Sequence, residues 1–160
     1  MSKMILVAES GSDITPEMAQ ENGIVIVPMH VSFGGKTYDD GAFPTTEMFD
    51  YYKKHRELPR TSGCTPHDFE ATFERLDRDF PGAPILYLAY SASTTCSMQS
   101  ALIASEGREN FLAIDTKSVA AGPQTTSLRQ ARSQPTRLRR ATCASTRRRP
   151  LTRPARLFTA

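Results

Sequence analysis

At 160 residues the chain suits one domain, and its formal charge of +3 comes from 20 basic and 17 acidic residues that are unevenly placed. All 17 acids and ten of the bases fall in residues 1–122, a balance of −7, whereas residues 123–160 carry +10, all of it arginine, and no acid. A case for nucleic-acid binding from overall charge would therefore rest on the tail alone; three cysteines without a close pair exclude a disulfide framework or structural zinc site, and no apolar run nears the ~20 residues of a membrane span.

In chain order, residues 4–8 (MILVA) form a continuous apolar run of the kind found in a strand buried on both faces. The run meets Glu9 too soon for the core of a signal peptide, so the expected location is the cytoplasm. Residues 9–13 (ESGSD) break it with small polar groups. Thr15-Pro16-Glu17 opens a short helix, with Thr15 as N-cap and proline at the first position, and Asn22-Gly23 closes it. Residues 24–28 (IVIVP) are a second buried strand, and residues 30–36 continue it with Val31 and Phe33 on one face. Gly34-Gly35 is a turn, and residues 36–41 return as a hairpin carrying Tyr38. Thr45 is the expected cap of a second helix with Met48, Phe49, Tyr52 and His55 facing inward.

Pro59 ends that connection and delivers Thr61-Ser62 on a short loop. Thr65 is the N-cap of a third helix, Pro66 its first residue, and Asp68 lies in the first turn, where a carboxylate is favoured. The stripe Phe69, Phe73, Leu76, Phe80 follows at helical spacing. A turn at residues 81–84 leads to a third buried strand, 85–90 (ILYLAY), which runs into the hydroxyl-rich loop 91–97 (SASTTCS). A fourth helix has Met98, Ala101, Leu102 and Ser105 on one face, and residues 110–115 form a fourth strand. Strands alternating with helices read as an α/β fold with a parallel sheet and right-handed crossovers. Ligands of such sheets sit beyond the carboxyl ends of the strands, where loops 9–13, 91–97 and 115–118 gather. From residue 123 onward no helical or strand period survives, and five leucines and phenylalanines bury too little to offset ordering.

The chemistry legible in these residues is sparse. No G-x-S-x-G elbow, Walker loop or G-x-G-x-x-G is present, and no metal-ligand spacing occurs, so no metal, cofactor or catalytic residue is expected. Cys64 and His67 are three apart, which allows a nucleophile pair, against the plainer reading of a loop cysteine and an exposed histidine. Cys96 reads as a small packed residue, Asp39-Asp40 as a solvated turn, and His30 as a satisfied structural histidine. The convergence of Thr61, Ser62, Ser91 and Ser93 at strand ends and a helix start points to an oxygen-rich site for an anion or carboxylate.

With these residues placed, the chain resembles the DegV family of bacterial fatty-acid-binding proteins. Residues 8–14 (AESGSDI) are similar to the family's T-D-S-x-x-D-L opening, and residues 24–41 to its second strand with a tyrosine and an acidic turn. Residues 59–69 (PRTSGCTPHDF) are similar to its P-x-T-S-x-P-S-x-x-x-F loop. Residues 90–101 (YSASTTCSMQSA) and 113–122 (AIDTKSVAAG) are similar to S-S-x-x-S-G-T-x-Q-S-A and D-S-x-x-x-x-x-G. The resemblance implies a three-layer α/β/α domain with a mainly parallel sheet over residues 1–122; the irregular basic tail that follows, 123–160, reads from its composition as disordered or as a shifted reading frame.

The resemblance also implies a non-enzymatic carrier: one long-chain fatty acid, its carboxylate held by Thr61, Ser62, Ser91 and Ser93, presented to a fatty acid kinase. The family's second domain, which covers the lipid and adds a histidine to the carboxylate, has no counterpart in these residues, so impaired binding is an expectation. Further departures are Ala8-Glu9 for Thr-Asp, Ala92 for a serine donor, Cys64-Thr65 for Pro-Ser, and Cys96 for a glycine, which would strain a loop needing positive φ. Two other readings stand beside this one: a small α/β hydrolase or transferase using Ser91 or Cys64, and a genuine arginine-rich arm that binds nucleic acid.

Overall fold

The computed structural model describes residues 4–119 and the backbone of 157–159. Eight strands and four helices occur among them: β1 (Ile5–Glu9), α1 (Pro16–Asn22), β2 (Ile24–Val27), β3 (His30–Phe33), β4 (Lys36–Asp39), α2 (Thr45–His55), β5 (Arg60–Ser62), α3 (Pro66–Asp79), β6 (Ile85–Ala89), α4 (Ser97–Ala104), β7 (Phe111–Asp115) and β8 (Leu157–Thr159). Five of the strands make a wholly parallel sheet in the order β2-β1-β6-β7-β8. The other three make a small antiparallel sheet, β4-β3-β5.

Strand alternation divides the core in two. Ile5 and Val7 of β1, Ile85, Tyr87 and Ala89 of β6, and Phe111 and Ala113 of β7 face α3 and α4, packing with Phe69, Phe73, Leu76, Met98 and Ala101. Leu6 and Ala8, Leu86 and Leu88 face the other way, onto Ala19 of α1. The result is the three-layer α/β/α arrangement, and continuous apolar runs such as ILVA are what a strand covered on both sides requires. Each large side chain fully buried here contributes about 1.5–3 kcal/mol, and Phe69, Phe73, Tyr87 and Leu86 are all completely enclosed.

The starts of α1 and α3 follow their sequence signals. Thr15 accepts from the Met18 amide with Pro16 at the first position. Thr65 and Asp68 form a reciprocal capping box at the start of α3, which satisfies two of the amides a helix start leaves free.

Five expectations need correction. The second apolar stretch is not one strand continued through residue 36: β2 belongs to the parallel sheet and β3 to the antiparallel one. Pro28 lacks the N–H that a ladder needs, and the Met29 amide donates instead to Ser10 Oγ at 3.0 Å. The N-cap of α2 is Pro44, with Thr45 as the first helical residue and no side-chain cap. That helix buries no residue; Phe49 is 56% exposed, and Tyr51, rather than Phe49 or Tyr52, meets the Phe33 ring at 5.5 Å. Thr61-Ser62 is not a loop but most of β5. Finally, β8 gives the tail a strand, paired in parallel from Ala113↔Leu157 to Asp115↔Thr159. Sheet-edge pairing needs backbone groups only, which is why no period announced it. The rest of the tail, 123–156 and 160, lies outside the described residues, and with it the readings of a shifted frame or a nucleic-acid arm.

Candidate functional site

The order β2-β1-β6-β7 sends the chain outward from β1 to β2 on one side and from β6 to β7 on the other. The crevice beyond the carboxyl ends of β1 and β6 is therefore the switch point of the parallel sheet, where ligands of open α/β sheets bind. Residues 9–13 leave β1 there, with a 3-10 turn at Ser10–Ser12, and residues 90–96 leave β6.

The β6 loop is tightly bonded. Tyr90 N donates to Glu9 Oε1 at 3.0 Å, Ser91 N to Ser118 O at 3.1 Å, and Ala92 N to Asp115 Oδ1 at 3.3 Å. Thr94 N and Thr95 N both donate to Ser91 O. Ser93 N approaches Ser91 Oγ at 3.4 Å, so the Ser91 oxygen accepts while its proton meets no acceptor among the described residues. Ser91 is 6% exposed, whereas Ser93 is on the surface. Cys96 has φ −86°, so the strain expected from losing a glycine there does not arise.

Residues 61–64 reach this loop from the antiparallel sheet. Cys64 N donates to Ser97 Oγ at 3.0 Å, and a Cβ on Gly63 would come within 2.6 Å of the same oxygen. The two hydroxyl-bearing segments are thus neighbours, joined at the start of α4.

Thr61 and Ser62 are directed to opposite faces of β5, because successive strand residues face opposite ways. Thr61 lies across from Val31, and Val31 across from Tyr38. Phe33 stacks on Tyr38 at 4.9 Å and meets Phe43 at 5.2 Å on that same side. Ser62 lies across from His30, and His30 across from Asp39. His30 Nε2 is 2.9 Å from Asp68 Oδ2 and Nδ1 is 3.2 Å from Asp39 Oδ1, so it is a satisfied bridge between carboxylates, as its position suggested. An anion beside Ser62 would meet two carboxylates and at most one cation. Two carboxylates on that face disfavour a further negative charge there. The Thr61 face, shared with Val31, Tyr38 and Phe33, presents no carboxylate at these register positions among the described residues.

Burial raises the Asp68 carboxyl, but the Thr65 hydroxyl and amide and the His30 ring outweigh it and leave it below its ordinary value. Burial, then the charge of Glu9, pushes the Cys64 thiol far up. Cys64 is wholly buried, with its thiol directed to Pro28 O at 3.3 Å, and His67 is exposed beside Glu70. A protonated, enclosed thiol is a poor nucleophile, which counts against the Cys64 version of the enzyme reading. No group of metal-binding side chains occurs among the described residues, and no described helix is long and apolar enough to cross a membrane.

Residue-type reading passed over Glu9 and Asp115. Glu9 is fully buried, with Oε1 accepting from Tyr87 and Tyr90 N while Oε2 has no partner among the described residues. Burial, then Glu9, holds the Tyr87 phenol protonated and hence a donor. Alternation could have found both acids: Ile5, Val7, Glu9 and Phe111, Ala113, Asp115 share a parity, so each acid ends the core-facing row of its strand.

A family model described as "Uncharacterised protein, DegV family" matches residues 3–133, running past Gly122 where the motif resemblance ends. A DegV domain-containing protein of Caldanaerobacter subterraneus subsp. tengcongensis is 33% identical over 104 residues, 65% of this chain and 36% of that one. Another, of Staphylococcus aureus, is 29% identical over 123 residues, 76% of this chain and 43% of its own length. The chain thus spans less than half the length of these relatives. Among solved structures, a fatty-acid-binding DegV family protein of Thermus thermophilus superposes with TM-score 0.74 at 26% identity, covering 92% of this chain and 53% of that one. The DegV fatty acid binding protein of Bacillus subtilis gives TM-score 0.68 at 22% identity, covering 80% and 46%, and supports the fold alone.

Proposed function

Because the chain belongs to the DegV family, we propose that it binds a long-chain fatty acid, with the Ser91 and Thr61 hydroxyls donating to the carboxylate. The observation that carries this is Ser91: a nearly buried hydroxyl at the sheet's switch point, its oxygen engaged by Ser93 N and its proton without an acceptor among the described residues. Every amide from 90 to 95 already has an acceptor, so an anion there meets hydroxyl donors rather than a ring of N–H groups. That suits a carboxylate, which needs two or three donors, better than a phosphate, which nests in several amides. Thr61 stands beside Val31, Tyr38 and Phe33, a polar head position next to apolar surface, and ligand pockets of this kind combine an apolar wall with few polar groups.

Within this reading Ser93 belongs to the rim of the site, and Ser62 lies on the other face of β5 and contributes least. The bound acid is carried to a fatty acid kinase rather than transformed by this chain. The resemblance to DegV proteins supports that last step. The test is to purify the full chain under native conditions and extract it with organic solvent for mass spectrometry. About one fatty acid per chain is expected. A chain that carries none and takes up none of an added long-chain acid would not be a fatty-acid binder.

A further inference from the structure

We propose that Glu9 and Asp115 are positioning residues, two buried carboxyl groups that hold the Ser91 hydroxyl in place by taking the amides on either side of it. The inference rests on the fatty-acid reading above for its functional consequence, and on the hydrogen bonds alone for its geometry. Glu9 ends β1 and Asp115 ends β7, the two strands flanking β6. Register makes the arrangement nearly symmetrical. Asp115 is the partner of Ala89, and Glu9 follows the pair Ala8↔Leu88 by one step, so both acids bracket the last residue of β6. Two residues later comes Ser91. Its predecessor donates to Glu9 at 3.0 Å and its successor to Asp115 at 3.3 Å, and the Ser91 amide itself is taken by Ser118 O.

Three consecutive amides are thus held by three acceptors from two places in the chain, the end of β1 and the end of β7 with the loop after it. Asp115 also takes Lys117 N at 2.9 Å with the same oxygen, which fixes its own rotamer. The Glu9 side chain is fixed from below by Tyr87. This has a thermodynamic cost. A fully buried carboxyl with one oxygen unpartnered among the described residues is costly to desolvate. A hydrophobic residue in its place would leave both the Tyr87 hydroxyl and the Tyr90 amide without their acceptor. What a hydrocarbon there could not supply is an acceptor for Tyr90 N. The clamp also explains why no amide of residues 90–92 is left for the ligand, and so why recognition falls to side-chain hydroxyls.

The experiment uses the full chain with Glu9→Leu and Glu9→Gln, Gln keeping an oxygen where Oε1 stands. Two quantities are read: affinity for the fluorescent fatty acid cis-parinaric acid, and hydrogen exchange at the Tyr90 amide by NMR. Glu9→Leu is expected to weaken binding about tenfold and to speed Tyr90 exchange by at least as much, and Glu9→Gln to recover most of both. A Glu9→Leu variant that binds like the parent, or a Glu9→Gln variant as weak as Glu9→Leu, would overturn the proposal. If the parent itself binds no parinaric acid, the fatty-acid reading fails. The exchange rates then still decide whether the clamp exists, by fast exchange in Glu9→Leu and slow exchange in Glu9→Gln. Should Glu9→Leu not fold, Asp115→Ala and its rescue Asp115→Asn put the same question to the Ala92 amide.

Discussion

The Cys64 amide donates to Ser97 Oγ at 3.0 Å, and that single bond ties the strand carrying Thr61 to the start of the helix that follows the Ser91 loop. Gly63 lies so close to the same oxygen that an added Cβ would stand 2.6 Å away. Ser97→Ala leaves a buried amide unpaired, a loss of about 1–3 kcal/mol, and Gly63→Ala forces Ser97 aside at a comparable cost. Both are expected to unfold at lower urea concentration with unchanged m-value. Additive losses in the double variant would mean that the two residues do not share one contact.

Thr61 and Ser62 should separate cleanly in binding. Thr61→Val removes a donor from the apolar face and is expected to weaken fatty-acid affinity about fivefold, from roughly 1 kcal/mol of hydrogen bonding. Ser62→Ala, on the face of His30 and Asp39, should change it less than about twofold. Isothermal titration with a soluble long-chain acid decides this, and equal losses at both positions would contradict the strand alternation described for β5.

Acid should loosen the joint between the small sheet and α3. Asp68 has its carboxyl held below its ordinary value in the folded chain, so the unfolded state binds its proton first as pH falls. Its contribution is therefore complete above the unfolded value of about 4 and is lost as pH drops through the lower folded value. Urea melts from about pH 7 to about pH 2.5 should show a shallower acid loss in Asp68→Asn than in the parent. Parallel curves would show that Asp68 is not linked to folding.

The cysteines should differ sharply in reactivity. Cys96 is exposed and Cys64 is buried with a raised thiol. Brief treatment with iodoacetamide at neutral pH, followed by peptide mapping, should label Cys96 and spare Cys64 until denaturant is added. Rapid native labelling of Cys64 would restore the nucleophile reading.

Local patterns carried most of the fold. Continuous apolar runs identified β1, β2, β6 and β7 because a strand covered on both faces must be apolar throughout, and Thr15-Pro16 and Thr65-Pro66 identified their helix starts because capping is a local interaction. What stayed hidden depended on partners distant in sequence. Pro28 ends one strand, but nothing nearby says that the next strand joins another sheet. The aromatic residues of α2 have helical spacing, yet only packing shows that Tyr51 is the one that meets Phe33.

The same division holds at the site. Thr61, Ser62, Ser91 and Ser93 were legible as hydroxyls near strand ends, and motif order carried the resemblance to DegV proteins. Residue order by itself determined that these groups exist and that the sheet would gather them at one end. Only the tertiary structure decided that Thr61 and Ser62 face opposite ways, because register with His30 and Val31 is set by hydrogen bonds between strands about 30 residues apart. It alone also decided that Glu9 and Asp115 face the Ser91 loop, since a carboxyl at the end of an apolar strand acquires its role only when a neighbouring strand brings it an amide.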